Sequence, residues 1–408
     1  MKTKIIFFLI ILGGLTQVKA KHTTIVISLD GFRWDYPSFY ETPMFNYMAQ
    51  QGVESGLIPS FPSKTFPNHY TIATGLYPDH HGIIANNFLD TQTGEVFSMK
   101  NEEQKLNPKY YGGEPIWVTA KKQGLKTAVF YWPGSDVPIM GMYPDIYYVY
   151  DKKPQLTYKE RIDGILAQLR KPEGERPELV MGYINEPDKS GHNHGPQSWE
   201  VRKAVMLTDS LVKYLYDGIQ FLGLADEVNL IVLSDHGMAW VEKTHVVNVA
   251  SYLKKEWYHG IEGNTPANVY VKKGCIKKVY QALCHIDHAK VWLKGDVPEY
   301  LHYGTHSRVG DVVVMPDVGY VVYDDEIIEG GTHGYDPTLQ DMHALFRAIG
   351  PDIPHLRLPH FPNVNVYPLL CQLLGITPAP TDGVVPFETL TPSHRPPQLY
   401  SLTNLYGY

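Results

Sequence analysis

Four short clusters carry residue types that chemistry needs: Asp30-Gly-Phe-Arg33, Asp188-Lys-Ser-Gly-His192, Asp235-His236-Gly237 and Thr332-His333-Gly334. Together they hold three Asp and three His, with a turn-permitting glycine in every cluster. Neutral imidazole mixed with carboxylate in this ratio suits a borderline ion such as zinc. Magnesium or calcium would favour shells made almost wholly of oxygen. Six donors exceed one tetrahedral site and fit two ions sharing a gap. Ions about 3.5–4 Å apart can clamp the attacking and departing oxygens of an in-line displacement at phosphorus. Any one cluster alone reads as a helix cap or a core hydrogen bond; their joint occurrence singles them out.

Such a displacement needs a nucleophile, and Pro62-Ser-Lys-Thr-Phe-Pro-Asn-His-Tyr70 offers Thr65 just ahead of a helix-like stretch from Asn68 to Leu76. A helix start presents free N–H groups and a positive dipole end to a phosphoryl oxygen. An alcohol attacks at neutral pH only if a metal or a base activates it. The plainer role for Ser63 or Thr65 is to cap that helix.

The elements that must position these groups are strands ending in loop residues. Thr23 to Leu29 ends at Asp30, Leu179 to Ile184 runs into Asn185-Glu-Pro-Asp188, and Leu230 to Ser234 ends at Asp235. Continuous apolar runs suit strands buried on both faces of a parallel sheet. Phe39 to Gln51, Glu114 to Gly124, Tyr158 to Leu169 and Trp199 to Leu222 show helical periodicity between them. The predicted class is α/β, a central mostly parallel sheet flanked by helices on both faces. Ligands in such folds lie beyond the carboxyl ends of the strands, where all three Asp residues fall.

Residues 246–323 break the alternation and predict a small α+β insertion. It has a strand at Asn268 to Lys272, a helix near Cys275 to His285 and a strand at Ala289 to Lys294. Asp311 to Met315 and Gly319 to Tyr323 would then return the chain to the main sheet. With no linker or repeat in sight, residues 21–400 are expected to form a single domain including this insertion, with 401–408 as a tail.

Composition narrows the classes further. The 408 residues are 43% hydrophobic and 12% aromatic, which excludes disorder as the main state. A net charge of −7 leaves no overall basic footprint for wrapping nucleic acid. Three cysteines allow at most one bridge; Cys275 and Cys284 are near enough in sequence to pair, and a reduced pair is the equal alternative. Lys2 and Lys4 precede an apolar run from Ile5 to Leu12, then Gly13-Gly14 and Val18-Lys19-Ala20. That order predicts a cleavable secretory signal over residues 1–20, too short to span a bilayer. The expected product is exported, periplasmic or secreted, soluble and without a membrane span.

These motifs resemble the nucleotide pyrophosphatase/phosphodiesterase family of the alkaline phosphatase superfamily. The likeness runs from Asp30 to Tyr335 through Lys64-Thr-Phe-Pro-Asn-His-Tyr70, Gly75-Leu-Tyr-Pro78, Tyr131-Trp-Pro-Gly-Ser-Asp136, Glu186-Pro-Asp188 and Ser234-Asp-His-Gly-Met238. It implies an alkaline-phosphatase-like fold and two Zn2+ per chain. Asp188, His192 and His333 would hold one ion; Asp30, Asp235, His236 and the Thr65 oxygen would hold the other. It further implies that Thr65 is the nucleophile of a covalent nucleotidyl intermediate, that Asn86 donates to a phosphoryl oxygen with the Phe66 N–H as its partner, and that Phe66 and Tyr150 sandwich the base.

Trp132 is expected as a wall or neighbour of that pocket. The implied reaction releases nucleoside 5′-monophosphates from nucleotide phosphodiesters or pyrophosphates. Two alternatives stand beside it: a choline-phosphodiester (lysophospholipid) phosphodiesterase of the same family, and a metal-bearing binding protein without catalysis. Compared with the larger animal members, the sequence carries no Cys-rich module before the catalytic region and no nuclease-like domain after it. His69 is expected to pack beneath the nucleophile turn, and His80, His81, His306 and His343 receive no role.

Overall fold

The computed structural model describes residues 22–150, 153–322 and 330–390. The leader at 1–20, the tail at 401–408 and the end of the last expected strand at Tyr323 lie outside the described residues. The main sheet is built from β1 (Thr23–Leu29), β2 (Val53–Ile58), β3 (Thr127–Phe130), β4 (Ile146–Tyr148), β5 (Leu179–Ile184), β6 (Val228–Leu233), β7 (Ala344–Ile349) and β8 (Leu356–Arg357). Their order across the sheet is β8-β2-β7-β6-β1-β5-β3-β4, with Phe361–Pro362 beside β2. Only β7 runs against the others, pairing antiparallel with both β2 and β6. β1 lies between β5 and β6, parallel to each. Every residue of these three strands is buried, which is why apolar residues dominate each of them with no polar alternation.

The helices are α1 (Pro43–Gln51), α2 (Thr65–Thr74), α3 (Ile116–Lys122), α4 (Tyr158–Leu169), α5 (Asp188–His194), α6 (Trp199–Phe221) and α7 (Val366–Leu374). α1, α4 and α6 pack together on one side, and α2, α3 and α7 together on the other. Neighbouring side chains of β1 show the two faces: Ile27 points with Gly182 toward Ile165 of α4, whereas Ser28 Oγ meets His69 Nε2 of α2 at 2.8 Å. The expected helix from Phe39 is split, because Tyr36–Phe39 forms its own turn and Pro43 opens α1 with a ring that needs no N–H partner.

The insertion forms a separate four-stranded antiparallel sheet, ordered Tyr258–Glu262, Ala267–Val271, Val312–Pro316, Ala289–Leu293. The helix Ile276–Leu283 packs on it around a second apolar cluster that includes Val269, Val279, Leu283 and Val314. One expectation is corrected. Val312–Pro316 does not return to the main sheet but sits at the centre of the small one, and Val321–Val322 pairs with Val246–Val247. Cys275 and Cys284 are not bridged, nor is Cys371. They flank the helix at opposite ends, roughly 13 Å apart by helical rise and beyond the ~7 Å reach of a disulfide.

Candidate metal centre and nucleophile

Adjacent strands β6, β1 and β5 bring their carboxyl ends to one edge of the sheet. Asp30 follows β1, Asp235 and His236 follow β6, and Asp188 opens α5 four residues beyond β5. The Asp188 N–H donates to the Asp30 carbonyl at 2.9 Å, so the two segments touch. Gly31 makes that approach possible. At φ +66°, a Cβ placed there would lie 2.8 Å from the Asp188 Cα and Cβ. His333 arrives from a two-stranded ribbon, Gly330–Thr332 against Ala239–Val241, so its ring stacks on that of His236 at 3.6 Å.

All three imidazoles are held in one tautomer. The Nδ1 of His192 lies 2.8 Å from the Gly331 carbonyl, that of His236 2.9 Å from Gly237, and that of His333 2.7 Å from Ser63. A carbonyl only accepts, so each Nδ1 carries the proton and each Nε2 turns a lone pair inward. His192 Nε2 and His333 Nε2 face one another at 3.1 Å. Two bare lone pairs repel at that distance unless a cation lies against both. Burial, then the neighbouring His236, Lys64 and His192, hold the His333 imidazole well below its usual pKa, so a shared proton is a poor substitute.

The carboxylates tell the same story. Asp188 Oδ1 lies 3.4 Å from His192 Nε2 and 3.5 Å from His333 Nε2. Asp30 Oδ1 and Asp235 Oδ2 lie 3.4 and 3.0 Å from His236 Nε2. These three oxygens are buried and accept no hydrogen bond. Burial, followed by the Asp235 and Asp188 charges, pushes the Asp30 carboxyl well above the usual carboxylate range. Taking carboxylates out of water costs several kcal/mol each unless a positive charge compensates. Two overlapping donor groups result, Asp188 with His192 and His333, and Asp30 with Asp188 and His236. The donor set fits a pair of zinc ions.

Thr65 is the first residue of α2, and its Oγ1 lies 3.3 Å from His236 Nε2. Asn86 accepts the Phe66 N–H on Oδ1 at 3.0 Å. The two groups are therefore bonded to each other, not free side by side as two donors. The bond fixes the amide so that Nδ2 is the group left to donate. Phe66 and Tyr150 are brought together but do not form a slot. Their rings meet edge to face with centroids 5.2 Å apart at 89°. A base between parallel faces needs about 7 Å, twice an ordinary carbon contact. Lys105 Nζ, 5.4 Å over the Tyr150 ring, and Tyr183, tilted at 5.6 Å, hold that edge-on orientation. Trp132 is fully buried behind the site and donates to the His69 carbonyl at 3.2 Å, so it is a neighbour and not a wall.

Three residues support the site, and the sequence reading gave no role to Tyr183 or Lys64. The Tyr183 hydroxyl donates to Asp30 Oδ2 at 2.5 Å. His69 does pack beneath the nucleophile turn, and it also reaches the buried donor group, with Nδ1 2.9 Å from the Thr65 carbonyl and 3.2 Å from Asp235 Oδ2. Its i, i+4 spacing from Thr65 was the available signal. Lys64 Nζ donates to Thr265 Oγ1 at 2.7 Å, and Thr265 Oγ1 donates to the His333 carbonyl at 2.8 Å. That chain ties the insertion to the site. His81 bonds to Thr71, His80 to Asp382 and His343 to His360, all away from it.

Residues 24–336 match the family described as type I phosphodiesterase / nucleotide pyrophosphatase. The chain belongs to that family. It is 38% identical over 375 residues to ectonucleotide pyrophosphatase/phosphodiesterase family member 3 of Bos taurus, covering 88% of this chain and 43% of that one. It is 37% identical over 393 residues to venom phosphodiesterase CdcPDE of Crotalus durissus collilineatus, covering 91% of this chain and 47% of the relative. The chain thus spans less than half the length of these curated relatives. Among solved structures, human ectonucleotide pyrophosphatase/phosphodiesterase 5 superposes with a TM-score of 0.84 at 33% identity, covering 88% of this chain and 97% of that one. An inactive form of the murine protein, solved in complex with AMP, gives a TM-score of 0.84 at 33% identity over 89% of this chain and 97% of that one.

Proposed function

We propose that this chain is a two-zinc hydrolase that cleaves nucleotide phosphodiester and pyrophosphate bonds through a covalent threonine intermediate, releasing nucleoside 5′-monophosphates. The observation that carries this reading is the Thr65 hydroxyl at the start of α2, 3.3 Å from His236 Nε2 and beside five donors in two overlapping groups, with Asp235 Oδ2 3.0 Å from the same Nε2. Asp188, His192 and His333 would hold one ion, and Asp30, Asp235 and His236 with Thr65 the other. When bound, the ions would supply Lewis acidity and lower the proton affinity of the hydroxyl. Thr65 Oγ1 attacks the α-phosphorus in line, and the bond to the leaving oxygen breaks as the Oγ1–P bond forms. Asn86 Nδ2, its carbonyl pinned by the Phe66 N–H, donates to an equatorial phosphoryl oxygen as charge builds there. Water then displaces the threonine oxygen and frees the monophosphate.

Phe66 and Tyr150 take the base once the Tyr150 ring turns its face, a mode that tolerates every base. A phosphocholine diester is disfavoured by Arg161. Its guanidinium carbon sits 4.1 Å over the Tyr131 ring, in a recess shared with Tyr150 and Tyr183, where a quaternary ammonium would need the aromatic face. A non-catalytic binding role is disfavoured because no donor and no nucleophile is missing. The chain acts outside the cytoplasm, as the basic, apolar and small residues of positions 1–20 support; no described helix is long and apolar enough to cross a membrane. Thr65→Ala is expected to lower turnover of a nucleotide ester at least about 10³-fold with metal content retained. Wild-type turnover in that variant would remove Thr65 from the mechanism, and faster cleavage of a phosphocholine ester would overturn the substrate class.

A further inference from the structure

The longest helix among the described residues, α6, uses only part of its circumference to hold the fold together. Val201, Val205, Val212, Leu215 and Ile219 are buried where α1, α4 and α5 pack against it. The other side carries Trp199, Leu207, Tyr214 and Phe221, all exposed; Phe221, at 89%, is the most exposed large apolar side chain described. They are spaced eight, seven and seven residues apart. Residues seven apart return to nearly the same face of a helix, drifting by only about 20°. The four therefore form one stripe along α6. Single exposed apolar residues need no explanation, but a continuous stripe of three aromatic rings and a leucine marks a contact surface.

The residues between them make the stripe complementary to itself. Exposed Ser210 lies at the centre of α6. Two copies of the helix set antiparallel about Ser210 bring Trp199 against Phe221, Lys203 against Asp217 and Leu207 beside Tyr214, each pair twice. Lys203 and Asp217 are both exposed and opposite in charge. Within one chain Asp217 pairs with Lys213 at 2.6 Å, and Lys203 lies 5.9 Å over the Trp199 ring. Both members of the Lys213–Asp217 pair are 56% exposed, so that pair contributes little and leaves the carboxylate room for a second ammonium. Only the small serine meets its own copy at the axis, where two crossing helices must come close. One patch serving both partners is the form that a two-fold contact requires.

A lipid surface would account for the aromatic rings and the lysines. It would not account for Asp217 between Tyr214 and Phe221, and a chain of net charge −7 is repelled by anionic lipid. We propose that α6 pairs antiparallel with α6 of a second copy of this chain, with Trp199–Phe221 contacts at both ends and Lys203–Asp217 ion pairs between them. The helix is about 33 Å long and about 11 Å across. It offers each partner a few hundred Å2, below the roughly 800 Å2 a side of a standard interface. The dimer is therefore weak, with an expected dissociation constant of about 1–100 µM. This pairing is independent of which ester the metal centre cleaves.

Sedimentation velocity over a concentration series up to about 200 µM reads the pairing, with circular dichroism checking that each variant stays folded. Lys203→Glu and Asp217→Lys are each expected to weaken association at least about tenfold, because each sets like charges against one another at both ends of the contact. The double variant Lys203→Glu/Asp217→Lys puts opposite charges back and is expected to recover the dissociation constant to within about threefold. Loss in both single variants without recovery in the double variant overturns the antiparallel register and the proposal with it. A chain that stays monomeric throughout the series overturns the proposal, as does a dimer that none of these substitutions weakens. Flotation with phosphatidylserine vesicles, abolished by Phe221→Ala in a chain that forms no dimer, would assign the stripe to lipid instead.

Discussion

Asp30, Asp235 and His236 leave the ends of neighbouring strands β1 and β6 and are all but sealed from solvent, at 2%, 0% and 0% exposed. Asp188, His192 and His333 come from a short helix and a two-stranded ribbon, and the His192 side chain is 35% exposed. The first group is braced on every side. Tyr183 donates to Asp30, the Gly31 N–H donates to Asp235 Oδ1 at 3.2 Å, His69 reaches Asp235, and the Phe32 N–H donates to Ser234 Oγ at 2.9 Å. The second group lies along a large cavity and owes its order to bonds between Nδ1 atoms and backbone carbonyls. Burial and bracing would suit a half that fixes the proposed nucleophile, Thr65. Openness would suit a half past which substrate and product move.

That contrast can be broken by substitution. Asp235→Asn removes one donor from the braced half and is expected to cost about 10³-fold in kcat, with one zinc lost per chain by elemental analysis. His192→Ala should cost less, about 10²-fold, because solvent can replace an exposed ligand. If the His192 variant proves the more damaging of the two, the assignment of roles is reversed. A chelator should then remove zinc in two phases, with the open half emptying about tenfold faster than the braced half. His192→Ala should abolish the fast phase alone, which stopped-flow release into a chromogenic chelator would read. Tyr183→Phe should have the smallest effect, a roughly tenfold loss of metal affinity in the slow phase. No change there would mean that the short hydroxyl contact to Asp30 does not support the ion.

The strand-end carboxylates were legible because β1, β5 and β6 are covered on both faces and so must be written as apolar runs. β2 and β7 were not. β2 carries Glu54, Ser55 and Gly56, and β7 carries a buried Arg347 whose Nη2 donates to Glu54 Oε1 at 3.1 Å across the pair. Polar residues that satisfy one another across strands leave no periodic trace. Asp311 to Met315 was read as a strand but given the wrong neighbours, because a run of valines fits either sheet and its pairing is decided by residues far along the chain. The six donors and Thr65 were readable as residue types at strand and helix ends. The roles of Tyr183 and Lys64 were not, since each is a common residue whose partner lies on another element; His69 was placed by its spacing from Thr65, but its reach to Asp235 was not. The pairing of Phe66 with Tyr150 was implied by the resemblance alone, and their ring angle was not, because it depends on Lys105 and Tyr183 behind them.

Position 31 has a consequence beyond its own turn. It is the spacer between the strand that ends in Asp30 and the helix that begins with Asp188, and it works by having no side chain. Even one methyl group there would wedge the strand end and the helix start apart and stretch the span between Asp30 and Asp188. The tolerance of the whole catalytic edge is therefore set by the smallest residue in it, so this site can drift in almost any wall before it can drift in its ruler.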